Sequence, residues 1–226
     1  MKTLIIIPVL LFSLLSGVSS FSADYNKGWD AYKNGDYATA LKIFKPLAEE
    51  GDASAQNTLG YMYKEGKGVI QDYKEAARLF RLSAEQSLAH AENNLGEMYA
   101  KGWGVPQDYK EAVRLFLLAA EKGHKHAENN LGVMYENGWG VLQDYKEAVH
   151  LYTLAGKEVV VAHYNLGLLY LSADEPFKDC EKAMKSLNLA ADKGLASAQY
   201  RLGESYDFGR CNPENKKKAV KWYELA

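Results

Sequence analysis

Apolar residues recur along this chain with helical rather than strand periodicity, and the pattern is itself repeated. Ala76, Leu79, Phe80 and Ser83 fall at the i, i+3, i+4, i+7 spacing of one helix face, and Ala112, Leu115, Phe116 and Ala119 restate it 36 residues later. Each stretch follows Asp-Tyr-Lys-Glu-Ala, so Asp72, Asp108 and Asp144 are expected N-caps. A preceding helix is expected to end at Gly66-Lys67-Gly68, Gly102-Trp103-Gly104 or Gly138-Trp139-Gly140, because two glycines so close do not sustain a helix. The loop valines Val69, Val105 and Val141 read as buried, and Gly60 and Ala76 with their counterparts let helices approach at roughly 8 to 10 Å.

The period is traced by Leu59-Gly60, Leu95-Gly96, Leu131-Gly132, Leu166-Gly167 and Leu202-Gly203, whose glycines step by 36, 36, 35 and 36. Ala40, Ala76, Ala112, Ala148, Ala183 and Ala219 keep the same step and extend it one unit toward the N-terminus. Residues 91–99 return almost letter for letter as 127–135. Such self-similarity predicts an all-α solenoid, in which stacked neighbours supply the core that one unit cannot form alone. Function is then a matter of surface.

Three segments result. Residues 1–20 read as a signal peptide: Lys2 precedes an uncharged apolar run from Leu4 to Leu15, and Val18-Ser19-Ser20 offers small residues for cleavage. An uncleaved anchor is the alternative. Residues 21–52 form a helix-turn-helix opening pair around Trp29, Asn34-Gly35 and Phe44, and Asp52 or Ser54 caps the next helix. Residues 53–226 hold about four full longer units and a shortened last one. The fourth unit loses one residue near Gly156 and replaces its Gly-x-Gly loop with Ser172–Lys178. The fifth carries Phe208-Gly209-Arg210-Cys211 there, and the chain ends at Ala226 partway through the expected second helix.

With 47% apolar and 25% charged residues the composition is that of a folded soluble chain. Removal of residues 1–20 leaves 26 basic against 29 acidic groups, so bulk charge recruits neither nucleic acid nor anionic lipid. No later stretch reaches the ~20 apolar residues of a membrane span. Cys180 and Cys211 are an even pair in inter-helix segments of adjacent repeats, to be read as one disulfide or as two thiols.

Ala-x-x-x-Leu-Gly-x-Met-Tyr, then Gly-x-Gly-Val, Asp-Tyr-x-x-Ala and Ala-Glu-x-Gly at this period resemble the Sel-one-like repeat family of tetratricopeptide-like α-solenoids, in its exported bacterial form. The resemblance implies a right-handed α-solenoid of stacked antiparallel helix pairs with first helices lining a concave face. It also implies a non-enzymatic scaffold or adaptor for a protein or peptide, periplasmic or secreted, in envelope assembly or host interaction. Carried onto the aligned glycines, the tetratricopeptide register places Trp29, Asn57, Tyr61, Asn93, Glu97, Asn129, Tyr164, Leu168 and Tyr200 on that face. Asn57, Asn93 and Asn129 would form a ladder of amides for the backbone of an extended peptide; alternatively they cap or cross-link helices. Tyr164, Leu168, Leu171 and Tyr200 make the C-terminal part the more apolar, unless the fifth unit folds over it. Trp103 and Trp139 are either partner hot spots or lids over the loop valines.

The competing class is a cell-envelope hydrolase or penicillin-binding, β-lactamase-like protein, since some cysteine-rich exported members of the family are described that way. The chain has no Ser-x-x-Lys, His-Glu-x-x-His, Cys-x-x-Cys, Walker or Gly-x-Ser-x-Gly motif. His90 and His126 share a repeat position, which separates them by a helix-pair step, too far to share zinc. No enzyme activity, cofactor or metal is therefore expected.

Overall fold

A computed structural model describes residues 14–172 and 177–226, with side chains from residue 24 onward. The described residues form twelve helices and no strand: α1 (Leu14–Lys33), α2 (Tyr37–Glu49), α3 (Ala53–Glu65), α4 (Tyr73–Glu85), α5 (Ala89–Lys101), α6 (Tyr109–Glu121), α7 (Lys125–Asn137), α8 (Tyr145–Ala155), α9 (Val160–Ser172), α10 (Cys180–Asp192), α11 (Ala196–Asp207) and α12 (Lys216–Leu225). Within the N-terminal part α1 to α4 pack each on the next, and farther on α6 to α12 do the same, giving the stacked helix pairs of an α-solenoid. The N-terminal part of the proposed leader, residues 1–13, and residues 173–176 of the altered fourth loop lie outside the described residues. No described helix is long and apolar enough to cross a membrane.

The chain divides after Ala91 into two compact units. In the first, Ala40, Phe44, Leu47, Leu59, Met62 and Leu79 meet in one buried cluster. In the second, Ala148, Tyr152, Leu166 and Leu169 form one cluster, and Leu187, Ala190, Ala198 and Leu202 contribute to another.

The periodic glycines have a steric reason. A Cβ at Gly60 would lie 2.9 Å from the Phe80 ring and one at Gly132 2.7 Å from the Tyr152 ring. The first helix of each pair must leave that space for the large side chain that the second helix sends across. The pairing is local in sequence, so a 36-residue period reproduces it without long-range registration.

The expected caps form. Asp72, Asp108 and Asp144 each accept from the backbone N–H groups two and three residues on, and Asp52 accepts from the Ala55 N–H at 2.7 Å. A glutamine precedes each of the first three. The amides of Gln71, Gln107 and Gln143 donate at 2.8 Å to the carbonyls of Lys64, Ala100 and Glu136 near the end of the preceding helix, and also to the hydroxyls of Tyr73, Tyr109 and Tyr145. The Gln-Asp-Tyr run is therefore a loop clamp.

Gly66 and Gly138 end α3 and α7 in the left-handed conformation. The second loop glycine serves contact between repeats. At φ +73°, Gly68 brings its backbone so near that a Cβ would lie 2.8 Å from the Tyr37 Cβ, and Gly140 abuts the carbonyl of Tyr109 in the same way. The loop valines are half-buried rather than buried, with Val69 packed at the margin of the first cluster. The loop is fastened by its glycine and by the residue between the glycines.

Candidate functional site

In the first unit, the aromatic side chains meet around a lysine. Trp29, 39% exposed, stacks on Tyr32 at 5.4 Å, and Tyr32 faces the edge of Tyr61 at 6.5 Å. The Lys67 ammonium lies 5.3, 5.8 and 5.4 Å from the ring centres of Tyr32, Tyr37 and Tyr61 and donates to the Tyr32 hydroxyl at 3.0 Å. Burial, despite the lysine, holds the Tyr32 hydroxyl above its ordinary pKa, and the bond to Tyr32 raises that of Lys67. The expected positions Trp29 and Tyr61 thus come together, joined by Tyr37 and Lys67, which the register did not single out. Asn57 is half-buried and engaged in an interaction of its own.

The asparagines of the second unit have partners inside the protein. Asn93 and Asn129 are only 4% and 7% exposed. The amide oxygen of Asn93 accepts from Asn130 at 3.0 Å, and that of Asn129 accepts from Asn165 at 3.0 Å. The amide nitrogen of Asn93 donates to Glu97 at 3.2 Å, and Asn130 also reaches Glu97 at 3.4 Å. This is the cross-linking arrangement, in which each repeat hands an amide hydrogen to the one before. The donors Asn130 and Asn165 each stand two residues before the periodic glycine, and only Asn130 belongs to an Asn-Asn doublet.

Toward the C-terminus the surface opens. Tyr164, Tyr200, Arg201, Glu204 and Tyr223 line a hollow of about 880 Å³. Tyr200 is 52% exposed and its ring lies 5.5 Å from that of Tyr223 on α12. The last helix therefore supplies one wall of this hollow. Its tyrosine fills the space over Gly203 as Tyr152 does over Gly132.

A second cavity, of about 590 Å³, is lined by Leu168, Leu171, Glu136, Arg201, Glu204 and the paired cysteines, among others. Arg201 stands between the two and bonds to Glu204 at 2.8 Å; the neighbouring Tyr164 foremost, and then Glu204, raise its pKa against burial. The Glu136 carboxylate accepts from the Tyr152 hydroxyl at 2.6 Å. Burial pushes the Glu136 carboxyl above the usual carboxylate range, partly offset by that bond, while burial foremost raises Tyr152.

Cys180 and Cys211 are joined in a disulfide with Cα atoms 5.1 Å apart, tying the start of α10 to the segment after α11 at this cavity. The Ser205 hydroxyl donates to the Arg210 carbonyl and accepts from Asn212 at 3.1 Å, which further orders that segment. Trp139 lies flat on Tyr109 at 5.3 Å and remains 42% exposed. It rests on the tyrosine that opens the preceding second helix, a role that Phe177 repeats on Tyr145 at 5.6 Å. Among the described residues no group of three or more metal-ligating side chains converges.

Fold and surface together define a class, helix-pair repeats of the kind that typically build protein-interaction scaffolds. The Sel1 repeat model matches residues 53–88, 89–124, 125–158, 160–195 and 196–226, and the chain belongs to the Sel1 repeat family. A Sel1 repeat protein of Oxalobacter formigenes is 35% identical with a TM-score of 0.79, over 89% of this chain and 82% of that one. The protective antigen c5321 of uropathogenic Escherichia coli, which displays the same fold, is 29% identical with a TM-score of 0.77, over 96% of this chain and 48% of its own. An exopolysaccharide production negative regulator of Rhizobium leguminosarum bv. viciae is 35% identical over 68 residues. That match takes in 29% of this chain, which spans about a quarter (26%) of the regulator's length.

Proposed function

We propose that this protein is an exported, non-enzymatic scaffold that holds a protein or peptide against its first helices. The observation that carries the reading is the surface of the second unit, where Tyr164, Leu168 and Tyr200 line adjoining hollows beside paired and unpaired charges. A surface with apolar depth and polar edges suits a peptide with alternating anchors. In the first unit, Trp29 and Tyr61 supply aromatic contact area, and Lys67 holds that cluster in place. Asn93 and Asn129 act as ties that keep successive first helices in register, and Glu97 is the polar edge beside them. The comparisons offer the hydrolase alternative no support.

The apolar leader and the Cys180–Cys211 disulfide support export, since disulfides persist in oxidising compartments. The description of the Escherichia coli relative as a protective antigen is compatible with a location beyond the cytoplasm. The test is selection of peptide binders on the purified chain. Binding lost with Leu168→Glu or Tyr200→Ala and kept with Arg114→Ala, on the exposed side of α6, supports the scaffold reading. Binders indifferent to Leu168 and Tyr200 contradict it. Fractionation of the native host with a thiol titration tests the compartment: the expected result is an extracytoplasmic chain without reactive thiol.

A further inference from the structure

Two departures from the repeat pattern meet in one place. The residue that crosses over the periodic glycine is Phe80 in one pair and Phe116 in the next, but Tyr152 over Gly132 and Tyr223 over Gly203. The residue four places after the glycine is Lys64 in the first of these units and Ala100 in the second, but Glu136 and Asp207 in the units that carry tyrosine. The Tyr152 hydroxyl donates to Glu136 at 2.6 Å, and Tyr223 has Asp207 as a charged neighbour. The acid thus accompanies the hydroxyl.

The two acids differ in what balances their charge. Asp207 has a lysine, Lys216, at 3.0 Å. Among the described residues, Glu136 accepts one hydrogen bond from Tyr152 and has no ion pair, although it is half-buried in the 590 Å³ cavity. The half-buried carboxylate has already lost part of its hydration, so it attracts a cation through a medium that screens less than water, against the cost of stripping the cation's own hydration. The neighbouring Glu204 is already joined to Arg201. Lys178 and Arg210 also line the cavity, but both are exposed, where water and salt screen them. Leu168 and Leu171 supply an apolar wall beside the acid.

We infer that this cavity receives a lysine or arginine side chain of an extended peptide, its methylene stem against Leu168 and Leu171 and its cationic head on Glu136. The inference rests on the scaffold reading and adds to it the chemistry of one anchor. Long basic side chains suit such a place because the stem is apolar and the head is charged.

The experiment measures binding of the full chain to peptide pools that differ at one central residue: arginine, its neutral isostere citrulline, norleucine or glutamate. Wild-type protein is compared with Glu136→Gln, whose amide oxygen can still accept from Tyr152, and with Leu168→Glu. The expected result is a preference for arginine over citrulline of about tenfold, equivalent to about 1.4 kcal/mol, which disappears in Glu136→Gln while its thermal stability is kept. Equal binding of arginine and citrulline, or a preference that survives Glu136→Gln, overturns the inference and leaves the groove in place, with Glu136 serving only the Tyr152 hydroxyl. Absence of binding, or binding unaffected by Leu168→Glu, overturns the inference and the groove reading together.

Discussion

Glutamine and glutamate occupy one buried position of this repeat with different consequences. Gln56 and Gln199 donate to the carbonyls eight residues earlier, Ala48 at 3.1 Å and Ala191 at 3.2 Å. Glu128 stands at the same position with one oxygen on Lys125 at 2.7 Å and the other buried without a partner. The Ala120 carbonyl, eight residues before it, takes a turn bond from the Gly123 N–H, as Ala48 does from Gly51. Glu128→Gln is expected to add a hydrogen bond worth about 1 kcal/mol and to hold or raise the melting temperature; a clear drop would contradict this. Gly132→Ala should act oppositely, since its Cβ would meet the Tyr152 ring at 2.7 Å. The expected cost is about 1 to 3 kcal/mol by denaturant unfolding. His163 ties stability to pH. Burial and then the Lys193 charge lower its pKa, against a bond to Gly156. The neutral ring therefore contributes stability that is complete above ~6.5 and lost as pH falls through the lower folded value. His163→Gln should flatten that part of the stability profile.

At the scale of the element, the Cys180–Cys211 bridge closes a sequence separation of 31 residues, and the chain-entropy model gives such a loop on the order of 3 to 4 kcal/mol. Cys180→Ser with Cys211→Ser should lower stability by about that amount in oxidised protein and leave reduced protein unchanged; equal stability in both would contradict it. The loops between paired helices show what a linear pattern reveals. Asp72, Asp108 and Asp144 were readable as caps because capping needs only one residue before an apolar period. The glutamine clamp and the seat of Trp139 on Tyr109 were not, because each contact joins residues 7 or 30 apart through a turn whose path the pattern leaves open. The second loop glycine shows the same limit. Gly140→Ala should loosen one repeat from the next, through both its positive φ and its approach to Tyr109.

For the whole molecule, the 36-residue period made the helix pairs legible because each pair is built from local contacts. The proposed interaction surface was legible in part. Tyr164, Leu168 and Tyr200, which the register assigns to the first-helix face, line hollows, whereas Asn93 and Asn129 turn to Asn130 and Asn165. A repeated amide fits a ladder for a peptide and a tie between helices equally well, and only coordinates separate the two. Glu136 and Tyr152 were individually visible as departures from the repeat, but their meeting across a helix pair was not.

The most direct measurement is site-specific photocrosslinking in the native host, with a photoreactive residue at Leu168 or Tyr200 on first helices and at Arg114 on a second helix. Discrete crosslinks to a shared partner from 168 and 200, with none from 114, are the predicted result. Crosslinks from 114 with silence at 168 and 200 would contradict the assignment of function to the first-helix face.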